Sequence, residues 1–229
     1  SVIPGGPSEK AGVLAGDRIR TINDSLFAGN NSSQGKIMKT LRGAKNSVVK
    51  LGIKRSTSQD LLYFNVTRGD VPVNSVDVAY VVREGVGYIK VNKFARTTYN
   101  EFITAIAKLK QQNCKSFIID LRGNTGGYMD AAINMINEFM ANGRLIVYTE
   151  GKAFPRNDVY ANGTGTCQDA PIVVLTDEFS GSASEIFAGA IQDNDRGLII
   201  GRRTYGKGLV QSQIPLSDGS ALRLTIARY

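Results

Sequence analysis

From about residue 75 onward, short apolar runs of strand length alternate with amphipathic segments of helix length. This alternation constrains the fold more than any other feature, because strands separated by helices pair in parallel within an α/β architecture. Residues 86–91 read as a strand. Residues 98–110 read as a helix, since Phe102, Ile103, Ile106 and Leu109 form one apolar stripe. A strand at 116–121 and a helix at 130–140 follow. Further strands are expected at 145–149, 171–176 and 198–201, with a helix at 182–192 between the last two. Residues 150–166, rich in Gly, Asn and Pro, read as an exposed loop, and 221–229 alternate as a final strand.

The first 70 residues have a different texture. Residues 2–12, Pro4 included, read as a strand end, a turn and a short helix, with Pro7 suited to a first helical turn and Gly12 to a C-terminal stop. Residues 13–23 turn into a strand. Residues 33–41 read as a helix with Ile37 and Leu41 on one face. Residues 48–54 and 61–66 alternate as strands. Together they make a compact β-rich module.

Bulk properties exclude several classes. Lys and Arg number 28 against 20 Asp and Glu, a formal net charge of +8. The basic residues are scattered, with no more than two adjacent, as at Arg202-Arg203, and no nucleic-acid motif accompanies them, so no nucleic-acid partner is expected. No apolar run approaches the roughly 20 residues of a membrane helix, so no membrane span is expected. The two cysteines, Cys114 and Cys167, are wrongly spaced for zinc. Each lies just before a strand, so the two thiols would meet if those strands were parallel neighbours; unrelated thiols are the equal alternative.

The chain has no histidine. A serine hydrolase normally uses an imidazole to take the proton from its nucleophile, and zinc hydrolase signatures also need histidine. A serine nucleophile here needs another base, and a lysine held neutral by burial is the usual substitute. Ser182, in Ser182-Ala183-Ser184-Glu185, follows a strand and a polar turn and starts a helix. The helix dipole and free amides there favour an alkoxide, or an oxyanion bound by the Ala183 N–H. The same residues also fit a helix capping box. Lys207 lies between Gly206 and Gly208, which allow close backbone approach; in an extended run Gln211 would share its side and accept from its amine. A solvated loop lysine is the plain alternative. The turn Asp120-Leu121-Arg122-Gly123-Asn124-Thr125-Gly126-Gly127 presents amides to an anion, or is simply a tight strand-to-helix turn.

In this order these elements resemble the tail-specific, or carboxyl-terminal processing, peptidases. The resemblance rests on residues 118–127, on Ser182-Ala183-Ser184-Glu185-Ile186 with Gln192-Asp193, and on Gly201 with Thr204-Tyr205-Gly206-Lys207-Gly208-Leu209-Val210-Gln211. The N-terminal run Gly6-Pro7-Ser8-Glu9-Lys10-Ala11-Gly12 with Ala15-Gly16-Asp17-Arg18-Ile19 is similar to a PDZ domain. The resemblance implies a PDZ-like domain at 1–72 and a peptidase core at 73–229, an α/β fold related to the ClpP/crotonase type. It implies Ser182 as nucleophile, Lys207 as base, Gln211 positioning Lys207, and oxyanion donors from Ala183 and either Gly126 or Gly127. It further implies exported enzymes, periplasmic or at the cell envelope, that cleave proteins recognised by apolar C-terminal tails, with no metal or organic cofactor. The strand and loop that would hold the tail carboxylate are expected before Val2, so the module reads as incomplete and the core as trimmed after Tyr229. Two rival readings are an inert PDZ-bearing scaffold and a crotonase-type acyl-CoA enzyme.

Overall fold

The computed structural model describes residues 2–3, 5–27, 33–71 and 73–229. Pro4, read as part of the first turn, and Pro72, at the expected boundary, lie outside the described residues. The chain divides into two compact units, Ser1–Val73 and Asn74–Tyr229.

The first unit is built from α1 (Pro7–Lys10), β1 (Arg18–Ile22), β2 (Ser25–Leu26), α2 (Gln34–Leu41), β3 (Val48–Lys54) and β4 (Leu61–Thr67). Its sheet runs β2-β1-β3-β4, antiparallel throughout. Val13, Ile22, Val49, Leu51, Ile53 and Val66 form its core. Pro7 opens α1 as expected, and Gly12 beyond its end takes φ +92°, a conformation that favours glycine. Ser33 caps α2 through its hydroxyl, and Arg68 from beyond β4 donates to the Leu41 carbonyl at the other end. Asp17 and Arg55 form a two-pronged ion pair at 2.8 Å per bond, which lowers the Asp17 pKa to about 2. A groove of about 410 Å³ opens between Leu41, at the end of α2, and the core residues Val49, Leu51 and Val66.

The second unit contains β5 (Val78–Arg83), β6 (Val86–Lys90), α3 (Thr98–Gln111), β7 (Ser116–Asp120), α4 (Met129–Asn137), β8 (Leu145–Thr149), β9 (Asn157–Tyr160), β10 (Ile172–Thr176), α5 (Ala183–Asp193), β11 (Leu198–Gly201), β12 (Leu209–Pro215) and β13 (Ala221–Arg228). The main sheet has the order β11-β10-β7-β6-β5; its pairs β6–β7, β7–β10 and β10–β11 are parallel, and β5 adds an antiparallel edge. Each crossover steps the same way along the sheet, so a constant right-handed sense stacks α3, α4 and α5 on one face, where α4 contacts both of its neighbours. Phe139 is the hub beneath them, with edge-on contacts to Phe102, Phe117 and Phe187 at centroid distances of 6.1–6.4 Å.

Three expectations need correction. Residues 150–166 are not simply a loop: β9 lies within them, pairs antiparallel with β8, and takes that hairpin out of the parallel sheet. The strand β5 was not anticipated, because most of its residues on both faces are exposed and no apolar alternation marks it. Helix α4 ends at Asn137, freeing the buried Glu138 to accept from Tyr99 Oη and from the Thr166 N–H.

The strands β7 and β10 are parallel neighbours, and Cys114 and Cys167 line one cavity between their entry loops. Both cysteines are free and buried, and burial raises the Cys114 thiol pKa.

Candidate active site

The register of the parallel strands brings the candidate residues together. Leu175 on β10 faces Asp120 on β7, so the loops leaving the two strands emerge side by side at the C-terminal edge of the sheet. Open α/β sheets bind ligands at this edge. The glycine-rich turn follows β7, the segment with Ser182 follows β10, and the turn with Lys207 follows β11.

Polar bonds lock the first two loops. The Gly123 N–H donates to Asp177 Oδ1 at 2.9 Å and the Gly181 N–H to the Asn124 carbonyl at 3.0 Å. Ser180 Oγ donates to the Leu121 carbonyl and Ser184 Oγ to the Asn124 carbonyl, both in buried surroundings. Contact between the loops is tight. A Cβ placed on Gly126 would lie 2.7 Å from Ser182 Cβ, and one on Gly127 would lie 2.0 Å from the Phe94 carbonyl oxygen. Only glycine fits at either position.

Ser182 is not an ordinary helix cap. An N-cap residue is usually extended, whereas Ser182 has φ +55° and ψ −117°. That conformation costs about 1–3 kcal/mol in a residue with a Cβ and persists only where its surroundings enforce it. Ser182 and Glu185 pair as a capping box, in which the Ser182 N–H donates to Glu185 Oε2 at 2.8 Å.

Glu185 has a wider role that its place in a capping pattern concealed. The same Oε2 accepts from the Lys207 N–H at 2.8 Å, and Oε1 accepts from the Gly206 N–H at 2.6 Å and Thr204 Oγ1 at 2.9 Å. One carboxylate thus ties the Ser182 backbone to the turn carrying Lys207. The Lys207 side chain is half-buried, and its ammonium reaches Gln211 Oε1 in a long contact of 3.5 Å. Among the described residues no hydrogen bond joins Lys207 Nζ to Ser182 Oγ.

The glycine turn offers two candidate anion donors, and they differ. The Gly126 N–H is engaged by Asn124 Oδ1 at 2.9 Å. Among the described residues neither the Gly127 N–H nor the Ala183 N–H has an acceptor.

Below the turn, Asp120 is 1% exposed and forms a hub that sequence reasoning missed. It accepts from Tyr88 Oη at 2.5 Å, from Arg122 Nε, Nη2 and backbone N–H at 2.8–3.0 Å, and more weakly from Lys90 at 3.4 Å. Burial, the largest single influence, would raise its pKa, but the bonds from Arg122 and Tyr88 together hold it below the ordinary carboxylate range. Burial and the bond to Asp120 push the Tyr88 phenol up to about 12. Among the described residues no cluster of three acidic, cysteine or histidine side chains could hold a metal ion.

Comparison with known proteins matches residues 85–229 to the model of peptidase family S41. The chain belongs to peptidase family S41. The family assignment extends to both units through similar proteins. A carboxyl-terminal-processing protease of Picosynechococcus is 35% identical over 234 residues, covering 99% of this chain and 54% of that protein. The carboxy-terminal processing protease CtpA of Bacillus subtilis is 33% identical over 237 residues, covering 100% of this chain and 48% of its own length. A chloroplastic carboxyl-terminal-processing peptidase of Arabidopsis thaliana is 32% identical over 243 residues, covering 100% of this chain and 46% of that peptidase. The chain therefore spans about half the length of these curated relatives. The solved structure of a photosystem II D1 C-terminal processing protease superposes with a TM-score of 0.60 at 32% identity, covering 98% of this chain and 61% of that one. These S41 relatives are bacterial and chloroplastic, and among the described residues no helix is long and apolar enough to cross a membrane.

Proposed function

We propose that the chain carries the catalytic site of a serine endopeptidase that cleaves proteins recognised by their C-terminal tails, using Ser182 and Lys207 through an acyl-enzyme. The observation that carries this reading is the strained Ser182, whose backbone Glu185 ties to the Lys207 turn. A plain capping serine needs neither the strain nor the tether.

Ser182 Oγ attacks the scissile carbonyl carbon as Lys207, in its neutral form, takes the hydroxyl proton. The tetrahedral oxyanion accepts from the Ala183 N–H and the Gly127 N–H; Gly127 is preferred to Gly126 because its donor is unengaged. The intermediate collapses, the lysine ammonium gives its proton to the departing amine, and the acyl group remains on Ser182. Water, deprotonated by Lys207, then releases it. Gln211 accepts from the amine and aims it. A bound peptide closes over the half-buried lysine, removes water from it, and brings the amine to Ser182.

The first unit acts as a PDZ-like binder of apolar tails. Its groove beside Leu41 is lined mainly by aliphatic side chains, as an apolar peptide end requires. Export to the periplasm or cell envelope follows from the same family reading.

The test is hydrolysis of a peptide with an apolar C-terminal tail by wild type, Ser182→Ala and Lys207→Ala. Both substitutions should abolish cleavage with the fold intact. Substantial activity in Lys207→Ala would require another base and end this reading.

A further inference from the structure

Lys207 sits between Gly206 and Gly208, and two glycines give a turn no stiffness of its own. The direction of its side chain is therefore set by what holds its backbone. Glu185 Oε2 accepts from the Lys207 N–H at 2.8 Å, and the Tyr229 hydroxyl donates to the Lys207 carbonyl oxygen. The two partners come from different elements: Glu185 lies on α5, and Tyr229 directly follows β13. With both its N–H and its C=O held, Lys207 has little freedom left in φ and ψ, and the Cα–Cβ bond that starts its side chain points one way. Tyr229 is itself well fixed. Its ring packs against the hydrophobic core of the second unit and lines, with Glu185 and Val147, a cavity of about 270 Å³. Its N–H donates to the Gly208 carbonyl at 3.3 Å, and a Cβ on Gly208 would lie 3.1 Å from the Tyr229 carbonyl oxygen. The preceding Arg228 exchanges backbone bonds with Glu150, at 2.8 and 2.9 Å, which fastens the end of β13 beside the end of β8.

We propose that Tyr229 is a positioning residue for the general base: its hydroxyl holds the Lys207 carbonyl while Glu185 holds the Lys207 N–H, and the two together aim the lysine side chain. This rests on the Ser-Lys reading above and adds a second clamp to the Glu185 tether. The hydroxyl acts through the Lys207 backbone, at the point where the turn enters β12. Losing that bond frees the Lys207 carbonyl and loosens the start of β12, which carries Gln211 four residues on. The packed ring and the Arg228–Glu150 pairing hold the ribbon end without the hydroxyl, so its contribution to positioning is separable from the fold.

Tyr229→Phe keeps the packed ring and removes the hydroxyl. On an apolar-tailed peptide its kcat should fall roughly three- to tenfold, about the worth of one neutral hydrogen bond, with KM unchanged. An alkyl fluorophosphonate reads the nucleophile directly: the serine oxygen bonds to phosphorus, its proton passes to the base and fluoride leaves. Labelling of Ser182 should slow by the same factor. In a Lys207→Ala background Tyr229→Phe should slow labelling no further, since a base that is absent cannot be aimed; a merely structural tyrosine would lower both backgrounds alike. Unchanged kcat and labelling, equal losses in the two backgrounds, or a Tyr229→Phe protein that does not fold overturns the clamp alone. Wild type that does not label, or Lys207→Ala that labels as fast as wild type, overturns the Ser-Lys reading and the clamp with it. The contact is also read without activity. Lys207-Gly208 is the one Lys-Gly step in the sequence, so carbonyl-¹³C lysine with ¹⁵N glycine gives a single NMR correlation for that peptide bond. In Tyr229→Phe the Lys207 carbonyl carbon should move upfield as it loses its donor, and an unmoved resonance overturns the clamp.

Discussion

Replacing Glu185 with glutamine keeps the size of the side chain and removes the charge that joins nucleophile and base. The carboxylate accepts four bonds, two per oxygen: Ser182 and Lys207 N–H on Oε2, Gly206 N–H and Thr204 Oγ1 on Oε1. An amide has one acceptor oxygen, so at least one pair of donors must face an NH₂ group. Hydrogen bonds to charged groups are worth about 1.5–3 kcal/mol each and neutral ones about 0.5–1.5 kcal/mol. Losing two and weakening two costs about 3 kcal/mol or more before relaxation. The turn then drifts from Ser182, and the loss falls on chemistry rather than docking, because Glu185 is a positioning residue. The expected result is a kcat lower by about 10²–10⁴-fold, the range a general base supplies, with KM changed far less. Steady-state hydrolysis of an apolar-tailed peptide reads both constants, and circular dichroism checks the fold. A kcat within about threefold of wild type would refute the tether.

Other consequences are as specific. Gln211→Ala should lower kcat more than it raises KM, since the amide aims the Lys207 amine and touches no tail; unchanged kcat would leave Gln211 as an ordinary strand residue. Gly127→Ala should abolish hydrolysis and destabilise the turn, because its Cβ would fall 2.0 Å from the Phe94 carbonyl oxygen at φ +146°; wild-type activity would remove Gly127 from the oxyanion site. Asp120→Asn should cost about 2–4 kcal/mol in urea unfolding, as Arg122 and Lys90 lose their buried partner. The folded Asp120 pKa lies below its unfolded value near ~3.9, so its stabilisation is complete above that pH and fades as the medium becomes more acid. The gap between wild type and Asp120→Asn should hold from pH 7 to 5 and narrow at pH 3; a gap that widens in acid would reverse the sign of the argument.

The parallel strands, the three helices and the order of the motifs were legible because each rests on local pattern. Phe102, Ile106 and Leu109 mark the buried face of α3 from sequence spacing alone, and the structure buries all three. What escaped depends on distant partners. Asn157–Tyr160 carries loop-like residues and becomes a strand only because β8 lies beside it. Glu185 reads as a cap because its partners at 204–207 are some twenty residues away, and only the packing of the turn after β11 brings them to it. Glycine spacing treats Gly126 and Gly127 alike, whereas the bond from Gly126 to Asn124 separates them. Asp120 was visible as a motif letter, but its burial under Tyr88, Lys90 and Arg122 follows from the pairing of β6 with β7. Tyr229 gave no signal, since a tyrosine after an alternating strand is unremarkable without the ribbon that carries it to the Lys207 carbonyl.

The most direct test of the central claim is the pre-steady-state rate at which Ser182 is acylated by an activated peptide ester, followed by intact mass in wild type and Lys207→Ala. With Lys207 as base, wild type should acylate readily, with the added mass on Ser182. Lys207→Ala should acylate slower by about 10²–10⁴-fold. Acylation of Lys207→Ala at the wild-type rate, or a mass adduct on a residue other than Ser182, would contradict the account.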